Sequence, residues 1–165
     1  MSDFEGFYRD HVQLVHGLAL ARPGAMEQAE DLTQDTFLRA WQHFALLSAA
    51  DPVTRRAWLV RTLRNLMVDA WRRRGRETAE SLERPDPGPE AAERAELRVD
   101  LQRALSELGE RDQEMVVLRY LDDRNSREIA AIVGVPEGTV RRRLADCRKL
   151  LAEHLSSWAP RRTQG

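Results

Sequence analysis

The chain has 165 residues, 42% hydrophobic, 32% charged and only 6% aromatic, with 26 basic side chains against 27 acidic ones. That length suits one domain or two very small ones and excludes a large two-domain enzyme. The near-cancelling charges exclude a globally basic tail, so any nucleic-acid binding must come from local patches. Three helical patterns come first. Phe4, Phe7, Tyr8, His11, Val15 and Leu18 recur at the i, i+3, i+4 spacing of an amphipathic helix, which Pro23 and Gly24 end. Ala29, Leu32, Thr36, Phe37, Ala40, Trp41 and Phe44 make a second stripe; Glu27, Glu30 and Asp31 near its start suit the positive end of a helix dipole. Asp51-Pro52 breaks the chain, and Leu59, Leu63, Leu66, Met67 and Ala70 form a third stripe with Trp58 and Trp71 beside it.

Charge then divides the sequence. Arg55, Arg56, Arg61, Arg64, Arg72, Arg73, Arg74 and Arg76 stand in a stretch whose only acid is Asp69. The following stretch is acidic and holds Pro85, Pro87, Gly88 and Pro89; prolines so spaced forbid a helix and favour an extended spacer. We read 75–95 as a linker between two small domains, 1–74 and 96–165. Beyond it, Leu97, Leu101, Leu105 and Leu108 mark a helix stopped by Gly109, and Met115, Leu118 and Leu121 mark another. Ser126 is expected to cap a short helix carrying Ile129, Ala130 and Val133. Gly134-Val135 makes a tight turn, Pro136 fits the first turn of the next helix, and Val140, Leu144, Cys147, Leu150 and Leu151 form that helix's apolar stripe. No useful stretch alternates with period two, so the fold class is all-α, as two small helical domains.

The sharpest motif is SREIAAIVGVPEGTVRRRLADCRKLL at 126–151: a short helix, a glycine turn and a second helix, the plan of a helix-turn-helix. Arg141, Arg142 and Arg143 lie near the start of the second helix, where such helices meet base edges and phosphates. An ordinary helical hairpin with a solvated arginine face is the plainer reading of the same residues. The stretch from Arg55 to Arg76 combines arginines for phosphate with tryptophans that can stack on unpaired bases. Trp71 nevertheless reads more readily as core, and Trp58 fits either role. The basic residues are almost all arginine, Lys149 being the only lysine. Arginine forks suit bidentate phosphate and guanine contacts, and a GC-rich coding genome accounts for the bias at least as well. Asp31, Gln34, Asp35 and Leu38 make a mixed exposed face of the kind that binds a partner protein.

Enzyme chemistry finds little support. His11, His16, His43 and His154 do not cluster with carboxylates at metal-ligand spacing, and Asp31 and Asp35 lack an accompanying base, nucleophile or phosphate loop. No cofactor or metal is expected. Cys147, the single cysteine, cannot form an internal disulfide and sits at a core phase, so it reads as a buried, inert thiol in a chain suited to a reducing compartment. The N-terminus MSDFEGFYRD has neither the basic flank nor the apolar run of a signal peptide, and no apolar stretch approaches the roughly 18–20 residues that span a bilayer. A cytoplasmic protein without membrane insertion is the expectation.

Three segments in this order, AEDLTQDTFLRAW at 29–41, RAWLVRTLRNLMVDAWRRR at 56–74 and REIAAIVGVPEGTVRRRL at 127–144, resemble the extracytoplasmic-function group of bacterial RNA polymerase sigma factors. The resemblance covers residues 4–74 and 97–155. It implies that Asp31, Gln34, Asp35, Leu38 and Trp41 bind the clamp of the polymerase core. It further implies that a loop at 46–55 and the helix after it engage the unpaired strand of the −10 element. Arg56, Trp58, Arg61, Arg64, Asn65, Asp69, Arg72 and Arg73 are the candidate contacts there. The helix starting at Pro136 would read the −35 element through Pro136, Glu137, Thr139, Arg141, Arg142, Arg143, Ala145, Asp146 and Lys149, and its domain would dock on the polymerase flap. An anti-sigma factor is the further partner implied. Two departures from the family pattern stand out. Ala145 and Asp146 replace an aromatic or histidine and a basic residue, and Leu108-Gly109-Glu110 lacks a commoner proline. Asp146 would repel phosphate and could accept from a cytosine amine. The alternative function is a stand-alone helix-turn-helix regulator with a protein-binding N-terminal half.

Overall fold

In the computed structural model, residues 3–21, 26–74 and 103–155 are described. They form seven helices: α1 (Phe4–Leu20), α2 (Met26–Gln42), α3 (Phe44–Ala49), α4 (Pro52–Arg74), α5 (Glu110–Tyr120), α6 (Ser126–Val133) and α7 (Glu137–Leu155), with a helical turn at 103–106 before α5. There is no strand among the described residues. The linker assigned to 75–95, and Pro23, Gly24, Leu97 and Leu101, lie outside them.

Each apolar stripe closes onto its neighbours. Asp3 starts α1 by accepting from the Gly6 N–H at 2.7 Å, satisfying one of the donors a helix N-terminus leaves open. Phe7, Leu14, Val15 and Leu18 then face α2 and α4, where Phe37, Ala40, Leu59, Leu63 and Met67 are buried. Thr33 and Thr36 can join that core because each hydroxyl donates to a carbonyl one turn back, Ala29 and Leu32 respectively, which leaves no polar group stranded. In the C-terminal half, Met115, Leu118, Ile129, Val140 and Leu144 make a second core, with α5, α6 and α7 in mutual contact. Burying one such leucine or isoleucine is worth about 1.5–3 kcal/mol.

Two side chains of α5 tie this second bundle together. Gln113, buried, donates to the Leu105 and Leu108 carbonyls at 2.8 and 3.3 Å. Arg111 donates to the Val133 carbonyl at 2.8 Å, at the C-terminus of α6. The two bundles also touch directly: α1 packs on α5, and α4 on α6.

Several expectations are corrected in detail. The second stripe does not run through Phe44; the backbone breaks at His43 (φ −108°, ψ 16°) and α3 begins there. Residues 46–55 are accordingly the end of α3, a short link and the first turn of α4 rather than an open loop. Arg55 fastens that corner, donating to the Leu47 and Ser48 carbonyls, each at 2.8 Å, and the Asp51 carboxylate accepts from the Thr54 N–H at 2.9 Å. Trp71 is not core but 73% exposed, because α4 there runs past the last element that could cover it. Asn125, not Ser126, caps α6, and Pro136 stands one residue ahead of α7, its carbonyl accepting from the Val140 N–H at 3.1 Å.

Candidate nucleic-acid interface

The turn between α6 and α7 is built from a capping box and a glycine. Asn125 Oδ1 accepts from the Glu128 N–H at 2.9 Å, and Glu128 Oε2 accepts from the Asn125 N–H at 3.0 Å. This closes both ends of the first turn reciprocally. At the other end Gly134 takes φ 74°, ψ 36°, and its N–H donates to the Ala130 carbonyl at 2.9 Å. The left-handed conformation costs a side-chain-bearing residue but not glycine. The chain then turns into α7, whose buried side is Val140, Leu144 and Cys147. Its opposite side presents Arg141, Arg142, Asp146 and Lys149 to solvent, with Glu137, Thr139, Arg143 and Ala145 half-exposed and Pro136 exposed at its entrance. Arg141 is held by Glu137 one turn back, and Arg143 reaches Asp112 of α5 at 3.6 Å. Arg142 has no such partner among the described residues, so its guanidinium is the one left open toward a ligand.

A neighbouring groove of about 290 Å³ lies between α5 and α7, with Arg119, Arg141 and Arg148 around it and Ser126 at its edge. Three guanidiniums around one concavity can take a phosphate. Arg119, Ser126 and Arg148 were not singled out from sequence. Arg148 could have been, since it follows Arg141 by two helical turns and shares its face.

On the N-terminal half, Asp31, Gln34, Asp35, Leu38 and Trp41 all stand exposed along α2. Leu38 and Trp41 are 60% and 59% exposed, although Trp41 also meets the Phe4 ring edge-on at 4.9 Å. A groove of about 370 Å³ between α2 and α4 brings Asp35 and Leu38 beside Asp69 and Arg73. The two residue sets assigned separately from sequence thus meet along one concavity. On α4, Arg61, Asn65, Asp69, Arg72 and Arg73 are exposed, and Trp58 is half-buried against His43 with ring centroids 5.8 Å apart. Arg56 and Arg64 differ. Arg56 is buried, its Nε donating to Asp122 at 2.6 Å; Arg64 makes a bidentate pair with Glu114, both bonds at 2.8 Å. Those two arginines face the C-terminal bundle rather than solvent.

Two groups have strongly altered acidity. His11 is buried, and its Nδ1–H donates to the Phe7 carbonyl at 2.8 Å, leaving Nε2 without a partner. Burial, and then the positive Arg56 nearby, hold its pKa below the usual histidine value, against the opposing pull of the Phe7 carbonyl, Asp122 and Asp10. The Cys147 thiol is pushed up to about 11, first by burial and then by Asp112 and Asp146. Both observations describe groups kept neutral in the core, as expected for an inert Cys147.

Comparison with known proteins agrees with this layout. The sigma-70 region 2 family matches residues 7–77, and the sigma-70 region 4 family matches residues 98–151. The ECF RNA polymerase sigma factor SigE of Mycolicibacterium smegmatis is 36% identical over 164 residues, spanning 94% of this chain and 63% of that protein. The ECF RNA polymerase sigma factor SigL of Mycobacterium tuberculosis is 33% identical over 144 residues, spanning 83% of this chain and 80% of that one. The chain thus spans less than two thirds of the SigE relative. Among solved structures, the sigma factor RpoE in complex with the anti-sigma factor NepR, from Bartonella quintana, shares the fold with a TM-score of 0.67 at 24% identity, over 94% of this chain and 98% of that one.

Proposed function

Because the chain belongs to the extracytoplasmic-function group of the sigma-70 family, we propose that it directs the RNA polymerase core to specific promoters and assists promoter melting, performing no chemistry itself. The observation that carries this reading is the open basic face of α7, presented by a glycine-turned helix-turn-helix at one end of the molecule while α2 offers Leu38 and Trp41 at the other. One chain thus carries a surface for duplex DNA and a surface for a protein. In this reading residues 1–74 hold the clamp and −10 contacts, 75–95 are the linker, and 96–165 read the −35 element and dock on the flap. Arg142 reads bases, and the Arg119–Arg148 groove holds backbone phosphate. Arg61 and Asn65, one turn apart on α4 and both exposed, face the unpaired strand. Work on promoters implies a cytoplasmic site of action, in keeping with the absence, among the described residues, of any helix long and apolar enough to cross a membrane. An anti-sigma factor is the proposed antagonist, by analogy with the complex of the Bartonella protein.

The test is co-elution with core polymerase. Wild-type protein should co-elute and support transcription from a genomic promoter library. Asp35→Arg, which reverses a charge at the centre of the exposed α2 face, should abolish co-elution while circular dichroism stays helical. Normal holoenzyme formation by that variant would remove the clamp assignment.

A further inference from the structure

The contact between the two bundles has a composition unlike either core. Arg56 and Arg64, two turns apart on α4, each reach across to a carboxylate of the C-terminal half: Asp122, after α5, and Glu114, within α5. Asp122 and Glu114 keep only 9% and 8% of their side-chain surface exposed. Arg124 and Arg111 stand second to the same carboxylates, at 3.6 and 3.9 Å. Around these pairs the packing is close. A Cβ on Gly17 would overlap the Leu121 side chain, with Val117 next nearest. A residual cavity of about 20 Å³ between Leu63, Met67 and Gln113 has room for about one water.

From this contact we propose that the isolated chain holds itself closed, with Asp122 and Glu114 occupying the two α4 arginines that would otherwise bind the unpaired DNA strand. The proposal rests on the reading of α4 as the strand-binding helix and adds its regulation. A guanidinium fork bound to a carboxylate cannot also bind a phosphate. The same pairs make the closure reversible. When the bundles separate intact, all four groups return to water together, and a buried ion pair typically recovers little more than its desolvation cost. When only the carboxylates are neutralised, the arginines are left buried without a counter-charge, and the closed arrangement is the one that suffers. Binding to polymerase, which needs the two DNA-reading surfaces apart, then frees Arg56 and Arg64 in the same movement.

The experiment uses the full chain without polymerase, and a labelled oligothymidylate as probe. Glu114→Gln with Asp122→Asn removes both carboxylates at nearly constant shape. Gly17→Gln opens the same contact sterically, with no change of charge and no ion-pair residue touched. Glu30→Gln with Asp123→Asn, both exposed and outside the contact, controls for net charge. Small-angle scattering should show a larger radius of gyration for the first two variants and no change for the control. Two more phosphate contacts should steepen the salt dependence of oligonucleotide binding by about 1.4 logarithmic units per decade of salt, at about 0.7 per contact on single strands. An unchanged radius in both opening variants would mean the ion pairs do not hold the chain closed. A larger radius with an unchanged salt slope would overturn the withholding of the arginines, and would place the fault in the strand-binding reading. A control that matches the opening variants would reduce the effect to general charge. If the double carboxylate variant loses its helical circular dichroism, Gly17→Gln decides.

Discussion

The same substitution at two glycines four residues apart should move stability in opposite directions. Gly134 sits at φ 74°, and a Cβ there would meet nothing within 4 Å. Its replacement therefore costs backbone conformation alone, with no steric clash to confuse the result. Placing alanine in the left-handed region costs about 1–2 kcal/mol. The stiffer unfolded chain returns about 0.4–1 kcal/mol. Gly134→Ala should thus destabilise by about 1 kcal/mol, and Gly134→Asn by less, because asparagine tolerates that region. Gly138 also has open space around its would-be Cβ, but it lies in the first turn of α7 at ordinary helical dihedrals. Gly138→Ala should stabilise by about 0.5–1 kcal/mol by removing the entropy penalty of a helical glycine. In a chain of this size each kcal/mol moves the melting temperature by roughly 2–4 °C. Thermal melts followed by far-ultraviolet circular dichroism, with urea titrations for the free energies, separate the two signs. A Gly134→Ala protein as stable as wild type would mean the turn relaxes to negative φ, and the geometry that aims α7 would have to be abandoned.

Three further outcomes follow from the groups described above. His11 titrates below its usual value when folded, so the unfolded chain binds its proton first as pH falls. The stability it contributes is complete above pH about 6.5 and declines below that. Unfolding free energies between pH 7.5 and 5.5 should fall for wild type and fall less for His11→Gln, and parallel curves would deny His11 the role. With its thiol at about 11 and buried, Cys147 should be alkylated by iodoacetamide at pH 8 on the order of 100-fold slower in the native protein than in urea; equal rates would show an accessible thiolate. In holoenzyme binding to single-base −35 variants, Arg142→Ala should lose about 1–3 kcal/mol of discrimination at one or two positions. Lys149→Ala should weaken all sites alike and lower the salt slope by about one, and a uniform loss for Arg142→Ala would cancel its reading role.

What could be read from the residues was the part set by local periodicity. The helical stripes at 4–18 and 59–70 became α1 and α4 because leucine, valine and phenylalanine at i, i+3, i+4 admit no other burial, and Gly134 marked its turn because few other residues tolerate it. The failures have equally local causes. Asn125 and Ser126 are both good caps, and only the reciprocal bond from Glu128 chooses between them. Trp71 follows a core phase, but a helix can outrun its neighbours, which periodicity cannot register. Trp41 was placed both in the apolar stripe and on the exposed face, and side-chain exposure decides for the latter. Arg56 and Arg64 looked like any other members of an arginine-rich face. Their partners stand 66 and 50 residues further along the chain, and no spacing rule reaches across such a distance.

The grip of Gln113 and Arg111 bears on how little of this protein could serve as a reading head. Arg111 closes the C-terminus of α6 from outside the helix-turn-helix, and Gln113 clasps the carbonyls of Leu105 and Leu108 before it. The pair α6–α7 therefore does not own all the bonds that set its angle. A piece trimmed to the motif alone would lose a terminal hydrogen bond and its apolar floor at Met115 and Leu118. The smallest unit able to address DNA begins no later than residue 103. A shorter graft onto another protein would carry the arginines without the angle that aims them.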